Sequence, residues 1–162
     1  MQYYKQDCIT VKRMDYAIRK AVLSDAESIN KLFIQMLRSI YQRENVQGYD
    51  NGYLDKFFCT EDNLIYVAEA GSHIIAFLSI EEHRENGAFI YLDDFCVDEI
   101  WRGHGIGTKL LEMAVQYAIE HHFHEIELHV EAGNPRAFKL YKRMGYEEHQ
   151  SENGRIKMVK HI

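Results

Sequence analysis

The sequence WRGHGIGTKLLEMA, residues 101–114, places three glycines at alternate positions directly before a helix-like pattern. The first turn of a helix presents unpaired N–H groups and roughly half a positive charge, so it attracts anions. The spacing fits neither a Walker loop nor a dinucleotide fingerprint, because Thr108 stands where a motif starting at Gly103 needs a further glycine. The stretch therefore predicts either an anion-binding loop or a tight strand-to-helix turn without a ligand.

Hydrophobic periodicity around this loop predicts a single mixed α/β domain. Before the loop we expect a short strand, a helix, a polar and aromatic connection with a short helix, and three strands. After it we expect a helix, a strand, a second helix and a terminal strand pair. The predicted ranges are a strand from Tyr16, a helix from Ser24 or Asp25 to Tyr41, a connection over 42–60, strands at 64–70, 73–83 and 88–98, a helix ending near His122, a strand at 125–131 and a helix at 135–144.

Composition excludes several classes of function. The chain has 162 residues, which suits one domain, and its net charge of −6 without a Lys/Arg stripe argues against a nucleic-acid partner. No apolar run approaches the roughly 20 residues that span a membrane, and no signal-peptide pattern is present, so we expect a cytoplasmic protein. The three scattered cysteines form no CxxC pair, and no metal site is expected. Residues 1–13 are interpreted as a loosely attached extension of a domain covering 14–162.

Two motifs resemble one known family. Arg-x-x-Gly-x-Gly, starting at Arg102, resembles the pyrophosphate loop of the GNAT superfamily of N-acetyltransferases. GNPRAFKLYKRMGY, residues 133–146, resembles the family's Asn-x-x-Ala-x-x-x-Tyr-x-x-x-Gly-Phe/Tyr signature, in the family's order and separation. YLDDFCV and RGHGIGT are also locally similar to spermidine/spermine acetyltransferases. The resemblance implies a single domain with a central, largely antiparallel sheet flanked by helices.

The resemblance implies acetyl-CoA as the co-substrate. Its pyrophosphate would lie against the backbone N–H groups of residues 103–108, and its pantetheine arm would run along the preceding strand like an added strand. Asn134 resembles the family's cofactor-contacting asparagine, although capping of the following helix also explains it. The cofactor-binding residues implied in this way are Phe95, Cys96, Val97, Arg102, Gly103, His104, Gly105, Ile106, Gly107, Thr108, Asn134 and Tyr141.

In this family an amine attacks the thioester directly while both substrates are bound. Tyr141 is the implied general acid for the departing thiolate, and helical spacing alone would also allow a core position. Asp93 is the implied water-mediated proton relay or amine anchor, and a structural aspartate at a bulge is the alternative. The residues expected to bind the acceptor are Tyr41, Tyr49, Asp93, Asp94, Glu127 and His129.

These features predict an N-acetyltransferase that acts on a small amine, polyamine-like or amino-sugar-like. Acetylation of a protein N-terminus or lysine is the alternative within the same class. A non-catalytic CoA-binding module is disfavoured, because the proton donor Tyr141 is present. Family members are commonly dimers, so the resemblance also implies a homodimer.

Overall fold

The computed structural model describes residues 15–85 and 87–162, and it contains the α/β architecture that the sequence predicts. Seven strands of these described ranges form one sheet in the order β1-β2-β3-β4-β5-β7-β6. The predicted boundary between an extension (1–13) and the domain (14–162) lies outside the described residues. The elements are β1 (Ala17–Lys20), α1 (Ala26–Tyr41), α2 (Asp55–Cys59), β2 (Asn63–Ala70), β3 (His73–His83), β4 (Phe89–Val97), α3 (Ile106–Glu120), β5 (Glu125–Glu131), α4 (Pro135–Arg143), β6 (Glu147–Glu152) and β7 (Arg155–His161).

The two faces of the sheet are covered by different helices. One hydrophobic cluster joins α3 and α4 to the sheet and includes Leu110, Ala114 and Leu128, all at most 1% exposed. The other joins α1 and α2 to the opposite face, where Ile29 and Phe77 are completely buried. None of the helices in the described ranges has the length and apolar character needed to cross a membrane.

Strands β4 and β5 separate within the sheet. They pair in parallel from Ile90 with Ile126 to Leu92 with Leu128, and their pairing ends there. Beyond this point residues 95–97 of β4 pair with β3, on the other side, and with no other strand of the described residues. One edge of β4 is therefore open directly before the glycine loop, and a cleft forms between the two strands.

A β-bulge reverses the side-chain alternation at the same point of β4. Leu78 pairs with Phe95 and Ile80 with Leu92, so the single residue Ser79 faces both Asp93 and Asp94. The Ser79 hydroxyl accepts from the Asp94 N–H at 2.8 Å and donates to the Asp94 carbonyl at 3.2 Å. Because the bulge adds one residue, both aspartates point toward the side covered by α1 and α2, as their side-chain partners confirm.

Candidate active site

The glycine loop leaves an open space in front of α3. Gly103 and Gly105 have φ angles of +81° and +79°, a backbone region that favours glycine, and no atom lies within 4 Å of a Cβ added to either. The first backbone bond of the helix runs from Lys109 N–H to the Gly105 carbonyl at 3.0 Å. The N–H groups of residues 106–108 precede it and have no intrahelical acceptor, so they are available to an anion.

The loop is fixed to the end of β4 by two contacts. Arg102 Nε donates to the Val97 carbonyl at 3.0 Å. A Cβ at Gly107 would lie 3.0 Å from Phe95 Cζ, so glycine allows the start of α3 to pack against Phe95. The helix N-terminus is therefore held beside the open edge of β4.

A cavity of about 580 Å³ occupies this region, between α1, the end of β4, the loop and α4. Arg136 and Arg143 of α4 line it together with Arg102, and the sequence analysis did not select these two residues. Three guanidinium groups, a helix N-terminus and a glycine cradle fit the pyrophosphate of acetyl-CoA. The predicted cofactor residues that line the cavity are Phe95, Cys96, Val97, Arg102, Gly103, Gly105, Ile106, Gly107, Thr108 and Asn134.

Two predicted cofactor residues lie outside this lining. The His104 side chain is exposed, and Tyr141 is 7% exposed and packs behind Phe95, with ring centroids 6.2 Å apart. The Cys96 thiol is buried against α1, where its Sγ donates to the Leu32 carbonyl at 3.3 Å. Burial raises the pKa of Cys96 to about 12, so the thiol stays protonated at neutral pH.

Helix α4, which carries Tyr141, begins as the sequence predicts. Asn134 Oδ1 accepts from the Ala137 N–H at 3.2 Å, and Pro135 occupies the first helical position. Burial raises the pKa of Tyr141 well above its usual value, so the phenol carries its proton throughout the neutral range. The neighbouring Tyr146 hydroxyl is buried and has no hydrogen-bond partner among the described residues.

The bulge brings the two aspartates of β4 into contact with the connection between α1 and α2. Tyr49 Oη donates to Asp94 Oδ2 at 2.7 Å, and Tyr53 Oη donates to Asp93 Oδ2 at 2.5 Å. Burial raises the pKa of Asp94 to about 6 and the nearby Asp93 adds to this, while the Tyr49 hydrogen bond opposes the rise. Tyr53 was not among the predicted site residues, although it lies in the tyrosine-rich connection that the sequence indicates.

Glu127 and His129 of β5 are already partnered. Glu127 binds Lys157 at 2.7 Å, and His129 Nδ1 lies 2.9 Å from the Tyr91 hydroxyl. Burial, with help from nearby cations, lowers the pKa of His129, so its imidazole is neutral at pH 7. His129 also lines a second cavity of about 210 Å³.

The predicted acceptor residue Tyr41 stands apart from these groups. Its side chain is 52% exposed at the end of α1, away from the hydrogen-bonded tyrosines and aspartates. Of the predicted acceptor residues only His129 lines a cavity, and Tyr41, Tyr49, Asp93, Asp94 and Glu127 line neither.

Comparisons with known proteins agree with this geometry. The Acetyltransferase (GNAT) family matches residues 34–146. The Uncharacterized N-acetyltransferase MJ1207 of Methanocaldococcus jannaschii is 26% identical over 91% of this chain and 67% of the relative. The Spermine/spermidine N(1)-acetyltransferase of Bacillus subtilis is 33% identical over 53% of this chain and 58% of that protein.

Solved structures share the fold. The paia N-acetyltransferase from Thermoplasma acidophilum, in complex with coenzyme A, superposes with a TM-score of 0.76 at 19% identity, over 92% of this chain and 100% of the other. The NatC complex bound to Gag peptide and CoA gives a TM-score of 0.71 at 22% identity, over 92% and 99%. The family resemblance and the fold class read from the sequence are thus confirmed, and the chain belongs to the Acetyltransferase (GNAT) family as an acetyl-CoA-dependent N-acetyltransferase.

Proposed function

We propose that this acetyltransferase acts on the primary amine of a small cationic molecule, polyamine-like or amino-sugar-like. The observation that carries the proposal is the pair of carboxylates Asp93 and Asp94 of β4, which directly precede Phe95, a residue that lines the acetyl-CoA cavity. Both accept hydrogen bonds from phenols, and neither forms an ion pair with a side chain of the described ranges. An ammonium group of the acceptor would supply the missing positive charge.

The same pair provides a route for the proton that the amine must lose. An alkyl ammonium has a pKa near ~10.4, so its deprotonation at pH 7 costs about 4.6 kcal/mol. A carboxylate with a pKa of about 6, such as Asp94, accepts this proton more readily than an unperturbed aspartate. We assign the proton-accepting role to Asp94, and Asp93 acts as the amine anchor or as a relay through water.

Tyr141 is proposed as the proton donor to the thiolate that leaves. Its phenol is protonated at neutral pH because burial raises its pKa, and its ring packs behind Phe95 at the open edge of β4. A phenol with a pKa of about 10 or more donates to a thiolate of pKa about 8.5 at a cost of ~2 kcal/mol or more. The protonated thiol that results is free CoA, which then dissociates, and the Tyr141 phenolate regains its proton from solvent before the next turnover.

A thiol-release assay tests the function. Purified protein and acetyl-CoA are combined with spermidine, diaminoalkanes, aminoglycosides, free amino acids and peptides with free N-termini. We expect release with a polyamine or amino sugar, and we expect Tyr141→Phe to bind acetyl-CoA normally but to lose most of kcat. Release with peptides alone would favour a protein acceptor, and acetyl-CoA binding without release by any amine would contradict the proposal.

A cytoplasmic location and a homodimeric state are also proposed. The homodimeric state is what membership of the family implies. Light scattering coupled to size-exclusion chromatography measures the mass in solution directly, and the mass of one 19.1 kDa chain would contradict the dimer.

A further inference from the structure

The connection between α1 and α2 delivers two phenols to the carboxylate pair. Tyr49 and Tyr53 lie four residues apart, and each hydroxyl donates to a different aspartate, at 2.7 and 2.5 Å respectively. Their rings stack on each other with centroids 5.0 Å apart and an angle of 5°. The two hydroxyls therefore reach the pair as one rigid unit.

The Tyr49 end of this unit is fixed to α1. The Tyr49 ring stacks on Phe33 with centroids 3.9 Å apart and an angle of 7°. Asn30 Oδ1 accepts from the Tyr49 N–H at 2.8 Å, and a Cβ at Gly48 would come within 2.3 Å of the same oxygen. Glycine at this position allows the close approach, so the backbone before Tyr49 is held against α1 independently of the aspartates.

No lysine or arginine of the described residues forms an ion pair with Asp93 or Asp94. The charge of Lys56 of α2 favours ionised Asp94, although the Lys56 ammonium is bound to Glu81 of β3 at 2.6 Å. Glu81 and Tyr91 also lie near the pair, and neither adds positive charge. For Asp94, the Tyr49 hydrogen bond stabilises the ionised carboxylate more than the charge of Lys56 does.

We propose that Tyr49 and Tyr53 are positioning residues for acetyl transfer, which hold the Asp94 and Asp93 carboxylates toward the arriving amine. The inference rests on the function proposed above. The Tyr49 hydroxyl favours ionised Asp94, because a hydrogen bond to a carboxylate stabilises its charged form against burial. Tyr49 thereby lowers the pH above which Asp94 can accept a proton from the amine.

The test measures the pKa of Asp94 in the protein without acceptor. Aspartates labelled with ¹³C at the side-chain carboxyl are titrated by NMR, and the Asp94 signal is assigned by its loss in Asp94→Asn. We expect a midpoint near 6 in the unaltered protein and a rise of about one pH unit in Tyr49→Phe. Tyr53→Phe, which releases Asp93 and keeps the stacked ring, is the matched control and should move the Asp94 midpoint much less.

A second measurement tests whether the pKa shift of Asp94 affects acetyl transfer. With an acceptor identified by the thiol-release assay, the acidic limb of kcat/KM against pH should move upward in Tyr49→Phe by the same amount as the NMR midpoint. The positioning role would be overturned if Tyr49→Phe left the Asp94 titration midpoint unchanged. It would also be overturned if the midpoint moved but the acidic limb of kcat/KM did not. If no amine is acetylated by the unaltered protein, the proposed function fails, and the titration still decides whether Tyr49 controls Asp94.

Discussion

Replacing Asp94 with asparagine is expected to stabilise the protein while it impairs acetyl transfer. The fold raises the pKa of Asp94 from 3.8 to about 6, chiefly by burial. A rise of about two units corresponds to ~3 kcal/mol of stability lost at pH 7.5, where the carboxylate is ionised in both states. Asparagine has nearly the same shape and keeps an acceptor for the Tyr49 hydroxyl, but it carries no charge.

The stability gained by Asp94→Asn is expected to be smaller than the stability lost by burying the ionised carboxylate. The reason is that a neutral amide accepts a weaker hydrogen bond from Tyr49 than a carboxylate does. We expect Asp94→Asn to raise the free energy of unfolding by about 1–2 kcal/mol at pH 7.5. For a chain of this length, that gain raises Tm by roughly 3–6 °C. Urea and thermal unfolding of the protein without substrates measure both quantities.

The pH dependence of the stability difference shows whether it arises from the buried charge of Asp94. Between about pH 4 and pH 6 the folded protein binds more protons at Asp94 than the unfolded chain does, so the cost falls as pH falls through 6. The advantage of Asp94→Asn should therefore be largest at pH 7.5 and nearly absent at pH 4.5. Asp50→Asn, at an exposed position of the same connection, is the control. A variant less stable than the parent at pH 7.5, or an advantage equal at both pH values, would refute the reasoning.

Two further predictions concern the loop and the core. Gly105→Ala should destabilise the fold by about 1–2 kcal/mol, because an alanine is strained at a φ of +79°, and its methyl group should also weaken acetyl-CoA binding measured by calorimetry. Gly71→Ala, at a φ of +62° in the β2–β3 turn, is the matched control, and equal acetyl-CoA affinity in the two variants would contradict the loop's role. Tyr146→Phe should raise the free energy of unfolding by about 1 kcal/mol, because it removes a buried hydroxyl with no partner in the described part of the chain. A lower Tm for Tyr146→Phe would show that the hydroxyl is satisfied after all.

The sequence predicted the elements well because local patterns determine them. Short continuous apolar runs marked β2 and β3, and Asn134-Pro135 with Gly145 marked both ends of α4. The glycine loop and the signature around Tyr141 were enough to predict the family and the co-substrate. These signals lie within short segments, so they survive in a single sequence.

The acceptor side was harder to predict because it depends on contacts between distant segments. Strict alternation would send Asp93 and Asp94 to opposite faces, and only the bulge opposite Ser79 brings them together. Tyr53 approaches Asp93 across 40 residues of sequence. Tyr41, which belongs to the same tyrosine-rich region, ends exposed at the end of α1. Nothing in the local pattern distinguishes these two tyrosines.

The central claim is that the carboxylate pair of β4 accepts a cationic amine beside bound acetyl-CoA. Steady-state thiol release with spermidine at pH 7.5, compared between the parent and the variant carrying both Asp93→Asn and Asp94→Asn, tests it most directly, with acetyl-CoA affinity measured on the same proteins. We predict equal acetyl-CoA affinity and a loss of at least about 100-fold in kcat/KM for the variant. Unchanged turnover of spermidine by the variant would contradict the account.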